Sequence, residues 1–408
     1  MLQVKAVTDL SPLHEIPVHE MNARLDRIEV IEKKIAAMEP PWPTLNHIQF
    51  CYLMGMPLED LRTVSNLGGF YVFNAIHGLG ELTTHFFKRD KYTVLSPPPS
   101  TSPAPKDSAP SSTRSQRTQV PRTQSTIDEC KRLDQYRCIV TGLANPEACH
   151  IVPFHWNQDR DHLEKTEKIL KNVGFIVFDQ QSSAANSTHK EIIEEVKSSD
   201  KPWNLLCLSP QLHTWWGRAY FGLKCYGAVL CEDDPNYSII SLQFVWMPSN
   251  VKAMATDHID LRAQRNPSTA LRAHLTHRYG DGPLSACTTK NCTQCRETLG
   301  VQCHDISNNR PVESGTIVKV KRLTKDRRLL EHVIKLQWSI ICAAALSGGP
   351  LIGDDAVSSD SEEEEMGYWE EDGQEDSIDK VNEWLELQNS EDGASASSKL
   401  RVGYPKSV

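Results

Sequence analysis

Long apolar runs are missing from this chain of 408 residues. The longest, Trp338 to Ile352, is interrupted by Ser339, Gly348, Gly349 and Pro350. It is too short and too broken to span a bilayer, so no membrane segment is expected. The opening residues, MLQVKAVTDLSPLHEIP, contain no apolar stretch of the kind that begins a secretory signal. Without such a signal, the twelve cysteines point to a reducing compartment, nuclear or cytoplasmic. They are then expected as thiols, metal ligands or core residues rather than as disulfides. Apolar residues make up only 39%, so part of the chain lacks the side chains to build a core. No internal repeat is visible.

Positive charge is absent from Asp354 to Asp379, where thirteen acidic residues occur and no Lys or Arg. Without those residues the net charge of −9 becomes about +4. A mildly basic body with an acidic tail permits a nucleic-acid partner without demanding one.

The chain divides by composition. Over residues 1–95, Val18, Met21, Leu25, Ile28, Ile31, Ile35 and Met38 recur at helical spacing, so a partly helical region is expected, with a helix ending before Pro40. Residues 96–126 are mostly Pro, Ser, Thr and basic, the composition of an extended linker. Residues 127–250 carry the strongest pattern. Arg137–Gly142 and Ala148–Pro153 read as short strands, and 154–203 as a polar, helical insertion with a strand or buried segment at Gly174–Phe178. Asn204-Leu-Leu-Cys-Leu208 runs into Ser209-Pro210, a helix N-cap followed by proline at the first helical position. Two strands of a hairpin are expected at Tyr220–Leu230 and Ser238–Trp246. Residues 251–350 form an extension with a cysteine cluster and an apolar helix at Leu329–Leu346, and 351–408 an acidic tail expected to be disordered.

The chemistry-bearing feature is a hairpin followed by a helix. His150 closes the second strand, Asn204 precedes the helix and His213 lies within it. Phosphodiester hydrolysis needs a base to take a proton from water and a cation to offset charge on the phosphate. A strand crossing a helix can hold the two close together.

These residues resemble the HNH endonucleases. Ala-Cys-His-Ile-Val-Pro is similar to the first HNH element, and Asn204 and His213 stand nine residues apart, as in that family. Arg-Cys-Ile-Val-Thr-Gly is similar to the opening of the HNH subfamily common in fungi. Leu-Leu-Cys-Leu-Ser-Pro-Gln-Leu-His-Thr-Trp-Trp-Gly-Arg, Leu242-Gln-Phe-Val-Trp-Met and the stretch from Ser314 to Gly348 are similar to other parts of the members found in fungi. The resemblance covers roughly 127–350. It implies an α+β chain with a ββα-metal (HNH) core, a helical N-terminal region, a helical C-terminal extension and a disordered acidic tail. It also implies a metal-dependent endonuclease on DNA, or on RNA. His150 would be the general base, Asn204 would pin the loop that orients it, and His213 would bind Mg²⁺ or another divalent metal.

Two departures support a second reading, a catalytically degenerate HNH module that binds nucleic acid or a protein without cleaving. Cys149 stands where active members often have Asp or His, and thiolate suits Zn²⁺ better than Mg²⁺. Trp216 and Gly217 occupy positions where many members carry a further ligand. Asp159, Asp161 and His155 of the insertion are candidates for the missing donor.

Five further features have two readings each. Cys287, Cys292, Cys295 and Cys303, beside His304, are either reduced free thiols or a structural zinc site, on which a zinc-stabilised interaction protein would rest. Cys138, Cys149 and Cys207 form a vaguer set, more naturally read as core. Lys319, Lys321, Arg322, Lys325, Arg327 and Arg328 form a solvated face or a nucleic-acid-binding patch. Trp215 and Trp216 stack on bases or pack in the core. The tail, with Glu362–Glu365 beside Ser358, Ser359 and Ser361, is a solubilising segment or a contact for a protein partner.

Overall fold

The computed structural model describes residues 18–38, 44–88, 123–177, 190–251, 253–280 and 287–350, all within one compact unit, Met1–Ala356. The linker stretch up to residue 122 and the acidic tail 351–408 lie outside the described residues. Helices and small antiparallel sheets together make an α+β chain.

The N-terminal region is a helical layer. α1 (Met21–Ala36) follows the apolar spacing, burying Leu25, Ile28, Ile31 and Ile35 along one stripe. α2 (His47–Gly55) opens with a reciprocal cap. The Asn46 side chain accepts from the Gln49 backbone N–H at 3.0 Å, and the Asn46 N–H donates to the Gln49 side chain at 3.0 Å. α3 (Leu58–Asn66) and α4 (Gly69–Phe87) follow.

α5 (Gln124–Leu133) begins inside the stretch whose composition suggested a linker. Arg137–Gly142 is not a strand but a tight turn, with positive φ at Gln135, Tyr136 and Gly142 and one isolated bridge, Arg137 to Ala144. Its apolar residues misled because their burial is not ladder pairing: the Ile139 N–H reaches across to the Cys207 carbonyl at 2.9 Å. β1 (Glu147–His150) comes next, then α6 (Arg160–Val177), whose last turns include the segment that suggested a strand at Gly174. A residue with a side chain could not replace Gly78 of α4, because its Cβ would come within 2.7 Å of Val173 of α6. The α4 backbone at Gly78 therefore packs directly on the Val173 side chain of α6, and the N-terminal layer is fused to the insertion.

β2 (Leu205–Leu208) pairs antiparallel with β1, Cys149 opposite Leu206 and His150 opposite Leu205. α7 (Pro210–Trp216) starts at Ser209, whose hydroxyl accepts from the Leu212 N–H at 3.4 Å. β3 (Phe221–Leu230) and β4 (Tyr237–Trp246) form a hairpin with a bulge at Cys225/Gly227. α8 (Thr293–Thr298) and the short β5 (His304–Asp305) and β6 (Arg310–Pro311) precede β7 (Ile317–Leu323). β7 adds to the free edge of β4, giving the order β3–β4–β7.

α9 (Arg327–Leu346) closes the fold across β3 and α2. Thr324–Leu346 is long and apolar enough by length and composition to cross a membrane, and 72% of its apolar window is buried inside the protein. Its apolar faces are covered by Phe221 and Leu223 of the sheet side and by the N-terminal helices within one continuous core.

One buried histidine makes this layer sensitive to acid. The Thr166 hydroxyl donates to the Trp156 carbonyl at 2.6 Å, so it accepts from His85 Nε2–H at 2.8 Å. The His85 ring also stacks on Trp156. Burial, reinforced by the nearby His155, Lys165, His162 and Lys88, holds the His85 pKa at about 2. In the unfolded chain it would titrate near about 6.5. Below that pH only the unfolded chain takes the proton, so stability is full above it and falls on acidification. From pH 7.5 to 5.0 this group alone is expected to remove about 2 kcal/mol, roughly 1.4 kcal/mol per pH unit below its unfolded pKa. Urea unfolding at both pH values measures the loss. His85→Gln should shrink the pH dependence by that amount, and an unchanged dependence would contradict the assignment.

Candidate active site on the β1–β2 hairpin and α7

Strand alternation sorts the β1 side chains. Glu147 and Cys149 point to one face, Ala148 and His150 to the other. The first face meets α7. His213 Nδ1 lies 2.6 Å from Glu147 Oε2, and both side chains are open to solvent, 43% and 49% exposed. Cys149 Sγ completes a group with Glu147 and His213 whose donor atoms all lie within 4.8 Å of one another.

The opposite face carries a buried pair. His150 Nε2 lies 3.1 Å from Asp200 Oδ1, with the two side chains 4% and 1% exposed. Asp200 also accepts from the Thr123 N–H at 2.8 Å, just before α5. Burial works against the Asp200 charge, but the His150 and Thr123 hydrogen bonds outweigh it and bring its pKa down to about 2. The Asp200 carboxylate is thus ionised at neutral pH and fixes one nitrogen of His150.

Asn204 sits between the two faces, fully buried. Its Oδ1 accepts from the Val152 N–H at 2.9 Å, and its Nδ2 donates to the Val152 and Ser199 carbonyls at 2.9 and 3.1 Å. It ties the residues just after His150 to the residue just before Asp200.

Of the three residues singled out in the sequence, His213 therefore joins Glu147 and Cys149, His150 joins Asp200, and Asn204 staples the chain between them. Glu147 and Asp200 were not found by sequence reasoning. Glu147 could have been, since it stands two residues before Cys149 and so shares its face. The insertion residues considered as extra ligands lie elsewhere. His155 is buried with Nε2 against the His85 carbonyl at 2.7 Å, and Asp159 holds His162 at 2.7 Å.

The other candidates separate clearly. Lys319 and Arg328 are exposed; Lys321 lies over the Tyr237 ring at 4.4 Å, and Arg327 pairs with Glu331 at 3.2 Å. Arg322 is 1% exposed and bonded to Asp134, so it does not belong to an accessible patch. The cluster of Cys130, Asp134 and Cys207 lies around that guanidinium, which already supplies its positive charge. Trp215 and Trp216 are both buried, so neither offers a face for stacking on a base. Cys287, Cys292 and Cys295 come together with His277. Cys303 stands apart, packed against the main core, where burial pushes its thiol up to about 12.

Residues 138–224 match the family model of the HNH endonucleases. The HNH segment spans β1, the insertion, β2, α7 and the start of β3, and it contains both faces of the site. The match indicates a nuclease-type segment; the family generally uses a divalent metal and binds nucleic acid. Comparison with curated proteins and with solved structures finds no match.

The donor set allows a test of the metal. One carboxylate, one imidazole and one thiol form a mixed oxygen, nitrogen and sulfur site. Such a set fits a borderline first-row divalent ion, and fits Mg²⁺ less well because of the sulfur. Glu147 supplies the one hard oxygen of the set.

Proposed function

We propose that the HNH segment is a metal-dependent endonuclease that hydrolyses phosphodiester bonds in DNA through a ββα-metal site. The observation that carries this reading is the exposed Glu147–His213 pair with Cys149 at the crossing of β1 and α7, inside the segment that matches the family. Glu147, His213 and Cys149 would hold the cation, which when bound offsets charge on the scissile phosphate. For His150 to take the proton from the attacking water, its ring must turn from the buried face of β1 to the face that bears Glu147 and His213. Asp200 orients the ring and balances the imidazolium that forms, as an ionised carboxylate beside a histidine does. Asn204 keeps the two strands of chain that bear this pair in register. Lys319, Arg327 and Arg328 supply phosphate contacts for the duplex, a salt-sensitive and sequence-independent contribution.

A second reading rests on one observation. His150 and Asp200 are almost wholly buried, which favours a degenerate module that binds nucleic acid without cleaving it. Plasmid nicking with Mg²⁺, Mn²⁺ and Ni²⁺ separates the two. The nuclease reading expects cleavage, with Mn²⁺ or Ni²⁺ better than Mg²⁺. It also expects a loss of about 10²–10⁴-fold in His150→Ala. Glu147→Ala should raise the metal concentration needed for half-activity by about tenfold or more. A parent protein that binds DNA but cleaves with none of these metals would establish the degenerate reading. Cleavage undiminished in His150→Ala would remove His150 from the mechanism.

A further inference from the structure

The geometry points to a structural zinc site formed by His277, Cys287, Cys292 and Cys295, separate from the cation site of the HNH segment. All four donor atoms lie within 4.8 Å of one another. His277 Nε2 is 3.2 Å from Cys295 Sγ and 3.7 Å from Cys292 Sγ. Zinc holds sulfur at about 2.3 Å and nitrogen at about 2.0–2.1 Å, so tetrahedral partners stand roughly 3.6 Å apart for N and S and roughly 3.8 Å for two sulfurs. The separations are those of a set ready to close on one ion. Three thiolates and an imidazole leave no open position, which is the composition of a structural zinc site rather than a catalytic one.

The ring of His277 is already set for this role. The Thr276 hydroxyl lies 2.9 Å from Nδ1, leaving Nε2 directed at the cysteines. A partner of this kind on the outer nitrogen fixes the orientation and tautomer of a ligating histidine. The Cys292–Cys295 pair, two residues between them, brackets the first turn of α8, a common way for one short loop to give two zinc ligands. All four sulfur-bearing or imidazole groups are shielded but not sealed: His277 is buried and the cysteines are half-buried.

The surroundings show what the ion would hold. The site joins three pieces of chain that carry little apolar core of their own. Beside the Tyr279 ring stacked on Tyr220 at 3.9 Å, their links to the sheet are polar: the His277 carbonyl accepts from the Ser249 N–H, Arg278 donates to the Trp246 carbonyl at 2.7 Å, and Gln294 donates to the Ser249 and His274 carbonyls at 2.6 and 2.7 Å. Gly280, at φ +80°, lies under the Trp246 indole so closely that an added Cβ would come within 2.2 Å of it. Trp246 in turn packs edge-on against Trp215 of α7, at 5.8 Å between ring centroids. The zinc node therefore buttresses the end of β4 on which α7, the helix bearing His213, rests. In a segment with so small a core, a metal takes over the role of burial.

The test is metal content of the full chain, purified without a metal-binding tag. About one tightly bound zinc per chain is expected, released only when the thiols are modified. It should persist in a Glu147→Ala/His213→Ala variant and in Cys303→Ser, and should be lost in Cys295→Ser and in His277→Ala. His277→Cys should retain it. Should the Cys295→Ser chain fail to fold, cobalt exchanged into the parent protein gives an independent reading, expected as the intense visible spectrum of tetrahedral thiolate-bound Co²⁺. Zinc absent from the parent, zinc that leaves with Glu147 and His213, a disulfide between Cys292 and Cys295 in freshly purified protein, or a cobalt spectrum without thiolate bands would each overturn the assignment. Loss of nuclease activity alone would not bear on it.

Discussion

Replacing Arg322 with alanine is expected to lower the unfolding free energy by about 3–5 kcal/mol, the range found when one partner of a buried ion pair is removed. The guanidinium meets Asp134 through two hydrogen bonds, Nη1 to Oδ1 at 2.7 Å and Nη2 to Oδ2 at 3.1 Å. Both side chains are 1% exposed. Arg322 also donates to the carbonyls of Leu205 at 2.7 Å, Lys321 at 2.7 Å and Pro202 at 3.2 Å. Asp134 accepts in addition from the Cys207 N–H at 2.9 Å. This one pair therefore ties β7, the end of α5 and β2 together, directly beneath the hairpin that carries the site. Burial opposes the guanidinium charge, but the Asp134 carboxylate keeps its pKa above the ordinary value. Alanine would leave that carboxylate buried with no counter-charge. Urea unfolding measures the effect, and Lys319→Ala on the exposed face of the same strand should change stability by no more than about 0.5 kcal/mol. The Asp134→Ala/Arg322→Ala double variant should be less destabilised than the sum of the single changes, because neither charge is then left alone. If Arg322 instead contacted phosphate, its removal would spare stability and reduce the salt dependence of DNA binding by about one unit of slope.

Arg322 also shows what the sequence could and could not convey. It stands in a basic run, which suggested a patch. Yet Val318, Val320 and Arg322 share one phase of a two-residue period, with Lys319 and Lys321 in the other. Once β7 is a strand, that period places Arg322 with the two buried valines. Its partner, Asp134, lies 188 residues earlier, and no local pattern announces a pair at that distance. The same holds for the site. Periodicity and capping located α7 and the β3–β4 hairpin, because those signals are local; β2, the partner of β1, was not among the expected strands. Asp200 and Glu147 escaped because their partners are set by the crossing of elements, and His277 because the spacing of cysteines says nothing about an imidazole ten residues upstream. At Gly174 the buried alternative holds and the strand does not, and at Arg137–Gly142 the strand is a turn, for a different reason: short apolar runs are buried in either helix, turn or strand, and length alone does not decide among them.

Asn204→Ala is expected to cost about 3–5 kcal/mol, although it removes no apolar contact of note. The change orphans the Val152 N–H and the Val152 carbonyl, buried backbone groups whose lost partners cost roughly 1–3 kcal/mol each, and takes one of two donors from the Ser199 carbonyl, which still accepts from the Lys201 N–H at 2.9 Å. The upper sum is not reached because a water can enter the space left by the amide and satisfy part of the set. Asn204→Asp is the sharper variant. It preserves shape and keeps the acceptor for Val152 N–H, but it turns the Nδ2 donor into a second oxygen facing two carbonyls. At neutral pH that oxygen carries charge, so Asn204→Asp is expected to destabilise at least as much as the alanine change. Protonation restores a donor, so the Asn204→Asp variant should regain stability relative to the parent as pH falls from 7.5 to 5, whereas the alanine variant should not. Urea midpoints for both variants at both pH values decide this. The side chain joins Val152, two residues past His150, to Ser199, one residue before Asp200. If the His150–Asp200 pair takes the proton from water, an Asn204→Ala chain kept folded at low temperature should lose turnover while still binding DNA. A folded Asn204→Ala chain that cleaves as fast as the parent would show that the register of that pair is irrelevant to the chemistry, and would leave Asn204 with a role in stability alone.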